Sequence, residues 1–147
     1  MEETSVAQGI KVVKTYDDYL FLRKRLGYSI EKFDSIMGTG NQTKYTWRRN
    51  GIRPVYQILA TCLSINPMEV EYAIEHGDIK DYDGIINLKN QEKYSLKVFN
   101  SYLGIKGKET LYTWKNQRKL QPIHIHLVNI LKLYPDLVKK AVTLLWY

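Results

Sequence analysis

Apolar residues recur along the chain at the three- and four-residue spacing of amphipathic helices, and few segments alternate with a period of two. This spacing predicts a first helix over Tyr16–Leu26, in which acids precede bases in the order that a helix dipole favours. Gly27 follows as its C-terminal cap. A second helix is predicted over Ile30–Met37, with Ser29 as its N-cap. The pattern therefore predicts an all-α fold.

Three further short helices are predicted after the second. The third is predicted to begin near Asn41 and the fourth at Pro54, because proline is favoured in the first turn of a helix. The fifth is predicted to begin at Pro67, with Asn66 as its N-cap. The buried stripe of the fourth helix is expected to consist of Ile58, Leu59, Cys62 and Leu63.

The chain contains an internal repeat, since Tyr45-Thr46-Trp47 recurs as Tyr112-Thr113-Trp114. Identical pairs at an offset of 66 are Tyr16/Tyr82, Asp17/Asp83, Leu22/Leu88, Tyr28/Tyr94, Ser29/Ser95, Phe33/Phe99, Ser35/Ser101 and Gly38/Gly104. At an offset of 67 the matches are the tripeptide, Gly40/Gly107 and Thr43/Thr110. At an offset of 68 they are Pro54/Pro122, Leu59/Leu127, Leu63/Leu131, Pro67/Pro135, Val70/Val138 and Ala73/Ala141. We predict an arm over 1–14, a first domain over 15–77, a linker over 78–80 and a second domain over 81–147.

Both copies carry the same spaced residues. In the first copy these are Ser29, Phe33, Ile36, Met37, Gly38, Thr43, Trp47, Asn50, Gly51, Arg53, Pro54, Leu59, Leu63, Asn66 and Pro67. In the second they are Ser95, Phe99, Leu103, Gly104, Thr110, Trp114, Asn116, Arg118, Lys119, Pro122, Leu127, Leu131 and Pro135. Over nearly all of both copies this pattern resembles the phage repressor-like family of Cro and Xre-type helix-turn-helix domains. The resemblance implies two tandem five-helix lambda-repressor-like domains.

The sequence departs from that family pattern at two places. The acidic residue that often follows the tryptophan in the family is Arg48 in the first copy and Lys115 in the second. The loop after the third helix is also one residue longer than usual in both copies.

Positive charge is concentrated in the middle of each copy. The chain carries 22 Lys+Arg against 15 Asp+Glu, a formal net charge of +7. No acid lies between Asp34 and Glu69, and Glu109 is the single acid between residues 93 and 135. We expect this charge to form a phosphate-facing surface, although an ordinary solvated face is the alternative.

The resemblance also implies roles for individual residues, because the third helix of such domains enters the major groove. The residues placed against base edges would be Asn41, Gln42, Thr46, Lys108, Glu109 and Thr113. Their amide, ammonium and carboxylate groups can pair with adenine, guanine and cytosine edges respectively. Phosphate contacts are expected from Ser29, Thr43, Lys44, Arg48, Arg49, Arg53, Ser95, Lys106, Thr110, Lys115, Arg118 and Lys119. About 4–6 such contacts predict a log–log salt slope of roughly −4 to −5.

The functional hypothesis is a sequence-specific double-stranded DNA-binding protein, a transcriptional repressor or autoregulator of bacterial or phage type. Its base readers differ between the copies, which predicts an asymmetric target. The alternative is a protein-binding inhibitor or antitoxin-like factor that uses one copy for a protein partner. No catalytic constellation is found, so neither an enzyme nor a cofactor is expected.

The cysteine, the histidines, the acidic residues and the apolar runs restrict the class of protein further. The single cysteine, Cys62, predicts a core thiol in a reducing cytoplasm, where the protein would associate with the nucleoid when bound to DNA. His124 and His126 are two residues apart and form a poor metal pair, and Asp81 to Glu92 fits a calcium loop badly, so no metal is expected. No apolar run reaches the length of a membrane span, and no secretory signal is recognised. Trp47 and Trp114 are expected to be core residues.

Two terminal segments leave alternatives open. The arm over 1–14 is expected to be disordered, to pack on a domain, or to follow the DNA backbone. The apolar end, residues 142–147, is expected either to cover the interface between the copies or to form a homodimer patch.

Overall fold

A computed structural model describes residues 12–39, 41–105 and 120–146, with only the backbone given for 41–45. These residues form helices and no strand, which confirms the all-α prediction. The helices are α1 Tyr16–Leu26, α2 Ile30–Met37, α3 Asn41–Asn50, α4 Pro54–Ile65, α5 Pro67–His76, α6 Tyr82–Gln91, α7 Leu96–Leu103, α8 Pro122–Leu133 and α9 Pro135–Trp146. Within the part that is described, no helix has both the length and the apolar content to cross a membrane.

Local capping interactions set the helix bounds that the sequence predicts. The Thr15 side chain accepts a hydrogen bond from the backbone N–H of Asp18 at 3.1 Å, and the Asp18 carboxylate accepts one from the Thr15 N–H at 3.1 Å. Ser29 and Ser95 each accept from the N–H three residues later, at the starts of α2 and α7. Gly27 ends α1 in the left-handed conformation that a C-terminal cap favours. The predicted caps at Ser29 and Gly27 are confirmed.

The fourth helix of the first half, α4, is buried around almost its whole circumference. The four residues of the predicted stripe, including Cys62, are buried, but the buried surface of α4 is wider than this stripe. The additional buried residues of α4 are Val55, Tyr56, Ala60, Thr61 and Ser64. The reason is that α4 contacts α5 of its own half and also α7, α8 and α9 of the other half. A helix enclosed on all sides does not show the one-sided pattern of a surface helix.

The contacts between the halves come in matched pairs. Helix α4 packs against α9, and its counterpart α8 packs against α5, the counterpart of α9. In the same way α4 contacts α7 while α8 contacts α2, and α4 and α8 contact each other. Such reciprocity is the property of an isologous two-fold interface, here formed within one chain. Buried side chains of both halves belong to a single hydrophobic core.

Two glycines show how closely the halves approach each other. Gly38 and Gly104 end α2 and α7, and both have φ +66°. A Cβ atom built on Gly104 would lie 2.6 Å from the backbone nitrogen of Val55, at the start of α4. A Cβ atom on Gly38 would lie 3.0 Å from the backbone nitrogen of Ile123, at the start of α8. Each glycine therefore serves as a helix cap and as a contact point between the halves.

The segment before the first helix of each half is fixed to that half's fourth helix. The Val13 N–H donates to Thr61 Oγ1 at 3.1 Å, and the Ile79 N–H donates to Asn129 Oδ1 at 3.0 Å. The Asn129 amide also donates to the Ile79 carbonyl at 3.1 Å. Val13 and Ile79 are both buried. The predicted linker thus contains a packed residue, and residues 12–14 of the arm pack on the domain, while 1–11 lie outside the described residues.

The apolar C-terminal helix covers the contact between the halves. Val142 and Leu145 are buried in α9, which packs against α4. This confirms the first of the two alternatives for the apolar end. Leu144 and Trp146 remain exposed on the outer side. A homodimer through them stays a prediction.

Candidate nucleic-acid interface

Helix α3 is anchored to the core by the aromatic side chain of Trp47. Trp47 is buried, and its ring lies 4.9 Å from that of Tyr19 and 4.8 Å from that of Tyr56, in edge-to-face orientations. The core prediction for Trp47 is confirmed, whereas Trp114 lies outside the described residues. Successive helical residues are about 100° apart, so the burial of Trp47 leaves its neighbour Thr46 exposed.

Three exposed arginines follow this anchor, and we call Arg48, Arg49 and Arg53 the basic loop. The first two lie in the last turn of α3, and the third is the N-cap residue of α4. Gly51, with φ +86°, turns the chain between them, and the buried Ile52 fixes the turn to the core. Within the described part of the chain, none of the three guanidinium groups forms an ion pair. Their charge is therefore available to an anion.

An aromatic ring on α1 positions one of these arginines. The guanidinium carbon of Arg48 lies 5.9 Å from the ring centre of Tyr16, within the range of a cation–π interaction. The two residues line a shallow groove of about 470 Å³. Lys14 and Asp17 also line this groove, so it carries one carboxylate beside its cations. Tyr16 was not among the site residues predicted from the sequence. The only signal for it in the sequence is its match with Tyr82 in the repeat.

The two predicted serines lie at helix N-termini. Ser29 and Ser95 are exposed, and each side-chain oxygen accepts a backbone hydrogen bond. Each hydroxyl still has its proton to donate. A helix N-terminus attracts anions through its dipole and its free N–H groups. Both positions can therefore hold a phosphate group, although the first turn of α2 also carries the carboxylate of Glu31.

The remaining predicted contacts lie where no side chain is described. For the first half, only the backbone is given for Asn41, Gln42, Thr43 and Lys44. Outside the described residues lie Lys106, Lys108, Glu109, Thr110, Thr113, Lys115, Arg118 and Lys119. Their contacts with bases and phosphates stay predictions.

Two histidines of α8 face the first half. His126 Nδ1 lies 2.8 Å from the Ile36 carbonyl oxygen, and burial lowers the pKa of this imidazole. His124 is 4 % exposed, and burial lowers its pKa to about 4, with a smaller contribution from the charge of Arg53. Arg53, one of the three residues of the basic loop, thus contributes to the electrostatic environment of an imidazole at the interface. In the described residues no three His, Cys, Asp or Glu side chains form a group that could hold a metal ion.

The buried thiol of Cys62 is a poor nucleophile, because burial raises its pKa. No family model, no curated protein and no solved structure matches the chain.

Proposed function

We propose that the chain is a sequence-specific double-stranded DNA-binding protein, a repressor or autoregulator of bacterial or phage type. In this proposal each half is a repressor-like helix-turn-helix domain, and the two are fused into a pseudo-dimer. The observation that carries it is the basic loop, three exposed arginines at the end of an anchored helix and just after it, in an acid-free stretch, which form no ion pair with any residue that the structure describes. Clustered cations of this kind are the electrostatic footprint of nucleic-acid binding.

The reciprocal packing of the halves supports a two-domain mode of binding. The backbone of duplex DNA is related by local two-fold axes, and dimeric helix-turn-helix proteins match that symmetry with their own. A pseudo-two-fold chain can present two third helices to one face of DNA in the same way. Since the predicted base readers differ between the halves, the target site is asymmetric.

Phosphate contacts fix the register on DNA, and base contacts select the sequence. The basic loop and the helix N-termini at Ser29 and Ser95 would hold phosphates. The start of each third helix, with Gln42 in the first half, would face the bases. Selection from random duplexes is expected to return one asymmetric motif, and the recovery of no motif would contradict sequence-specific binding.

The double variant Arg48→Ala/Arg49→Ala is expected to weaken binding to all duplexes by a similar factor. Each lost phosphate contact lowers the salt slope by about 0.9, so the slope should become less steep by about 2. Anisotropy titrations of the selected and a scrambled duplex over a range of salt concentrations measure both quantities.

A matched control for this variant removes two exposed lysines elsewhere, Lys24→Ala/Lys80→Ala. It lowers the net charge equally and should leave the slope nearly unchanged. If the arginine variant has the wild-type slope, the basic loop does not contact phosphates.

The variant Gln42→Ala is expected to act differently, by relaxing the preference at one base position with little change in the salt slope. The reason is that a base contact carries sequence information, whereas a phosphate contact does not. Selection repeated with the variant measures this change. A uniform loss at all positions would assign Gln42 to phosphate or structural contacts instead.

A further inference from the structure

Each half has an outer face formed by its second and fifth helices. The first outer face consists of α2 and α5, with a groove of about 350 Å³ that Ser35 and Tyr72 help to line. The second outer face consists of α7 and α9, with a groove of about 280 Å³ that Ser101 and Trp146 help to line. Ser35 and Ser101 are an identical pair of the repeat. The two faces are therefore built from helices that correspond in the repeat, and Pro54 of the first half also lines the second groove.

The helices that form the two faces carry opposite net charge. Helices α2 and α5 contain Glu31, Asp34, Glu69, Glu71, Glu75 and Lys32, for a net charge of −4. Helices α7 and α9 contain Lys97, Lys139, Lys140 and Asp136, for a net charge of +2. At matched repeat positions, Glu31 corresponds to Lys97 and Glu71 to Lys139. The charge is thus inverted at these two matched positions, as well as in total.

The helices of both faces also carry exposed apolar side chains. In α2 and α5 these are Ile30, Met68 and Tyr72, which are 56 %, 80 % and 52 % exposed, and Tyr72 lines the first groove. In α7 and α9 they are Val98, Leu144 and Trp146, which are 39 %, 38 % and 45 % exposed, and Trp146 lines the second groove. Exposed apolar groups surrounded by charge are characteristic of protein interaction sites.

We propose that the first outer face of one chain binds the second outer face of another copy of the same chain. The occupant follows from charge complementarity, because each chain carries both an acidic and a basic version of one surface. The contact is heterologous, so it leaves an unused face at each end and allows assemblies larger than two chains. This self-association does not depend on DNA binding.

The choice of residues for a test follows from the contacts inside the first outer face. Glu71 accepts a hydrogen bond from the Tyr28 hydroxyl at 2.6 Å and lies 3.2 Å from Lys32 Nζ. Its replacement would disturb the fold of its own half. Glu31 and Glu75 are exposed and are better sites for charge reversal. On the second outer face, Lys97 and Lys139 are exposed in the same way.

Two charge-reversal variants test the proposal. Glu31→Lys/Glu75→Lys removes the net charge of the first outer face, and Lys97→Glu/Lys139→Glu gives a chain with two acidic faces. Each variant alone should associate at least about tenfold more weakly than wild type, because the first variant has lost its acidic face and the two acidic faces of the second variant repel each other. An equimolar mixture should associate again, because the unchanged basic face of the first variant meets the unchanged acidic face of the second.

Sedimentation velocity of the nuclease-treated full chain measures these effects. Wild type should sediment faster as its concentration rises at about 0.05 M salt, and this dependence should disappear at about 0.5 M salt. Thermal melting by circular dichroism checks that the variants are folded. The control Lys24→Glu/Lys80→Glu reverses two exposed charges elsewhere and should associate like wild type.

Three results would overturn the proposal. The first is a wild-type chain that stays monomeric at low salt, and the second is two variants that each associate as wild type does. The third is a mixture that shows no more association than its components. Because DNA is absent throughout, failure of this proposal is separate from failure of the DNA-binding function.

Discussion

Replacement of Gly104 by alanine is expected to lower the free energy of unfolding by more than about 3 kcal/mol. The left-handed backbone at this position costs a residue with a Cβ atom about 1–2 kcal/mol. The larger part comes from the Cβ atom itself, which would lie 2.6 Å from the backbone nitrogen of Val55. Backbone at the start of a buried helix cannot move aside as a flexible side chain does.

Two other left-handed glycines, Gly27 and Gly38, provide a graded series of controls. Gly27 has φ +73°, and a Cβ atom there meets nothing within 4 Å, so Gly27→Ala should cost only the backbone strain. The destabilisation by Gly38→Ala should fall between those of Gly27→Ala and Gly104→Ala, since a Cβ atom on Gly38 has its nearest contacts at 3.0 Å. Subtraction of the Gly27 value from the Gly104 value isolates the steric contact between the halves.

Urea unfolding followed by circular dichroism measures the series. The expected order of destabilisation is Gly104, then Gly38, then Gly27. Wild type should unfold in one transition, because α4 and α8 share one core. A Gly104→Ala cost equal to that of Gly27→Ala would contradict the reciprocal contact, and two separate transitions would contradict the shared core.

The helix bounds could be predicted from the sequence because their causes are local. Ser29 and Gly27 act on backbone groups within a few residues, and the buried Phe33 and Trp47 follow the helical period. Interactions between neighbours in sequence leave a signal in the spacing of residues.

The contact between the halves could not be predicted in the same way. The repeat paired Gly38 with Gly104, and a cap was sufficient to explain both glycines. Their second role appears only when the start of the other half's fourth helix lies against them. Likewise, the distance between Arg48 and Tyr16 depends on how α3 packs on α1, which the spacing of residues does not encode. Both the contact at these glycines and the distance between Arg48 and Tyr16 are determined by packing between residues that are far apart in the sequence.

Acidification from pH 8 to pH 5 is expected to lower the free energy of unfolding by about 2 kcal/mol through His124 alone. The pKa of His124 is about 4 in the folded chain, mainly because of burial, against about 6.5 for an unperturbed histidine. Between these values the unfolded chain binds the proton and the folded chain does not. The stabilisation is therefore complete above about pH 7, decreases as the pH falls, and is lost at about pH 4.

The double comparison of wild type with His124→Gln and His76→Gln tests this dependence. His124→Gln should flatten the plot of unfolding free energy against pH between 5 and 8, whatever its effect on stability at neutral pH. His76 is exposed, so His76→Gln should keep the wild-type slope. His126 adds to the wild-type slope in the same direction and is present in both variants. An identical slope in wild type and His124→Gln would show that this imidazole is not held neutral by the fold.

Arg53 connects the pH dependence to the proposed DNA surface. Its positive charge lowers the pKa of His124 beyond the effect of burial, so Arg53→Ala should raise that pKa and reduce the slope between pH 5 and 8. Bound phosphate would screen the same charge, and DNA should therefore make His124 easier to protonate. Titration of the His124 imidazole by nuclear magnetic resonance, with and without a bound duplex, measures this shift. Because burial is the larger cause, the pKa should rise but stay below 6.5; an unchanged value in Arg53→Ala would show that the loop and the interface are electrostatically independent.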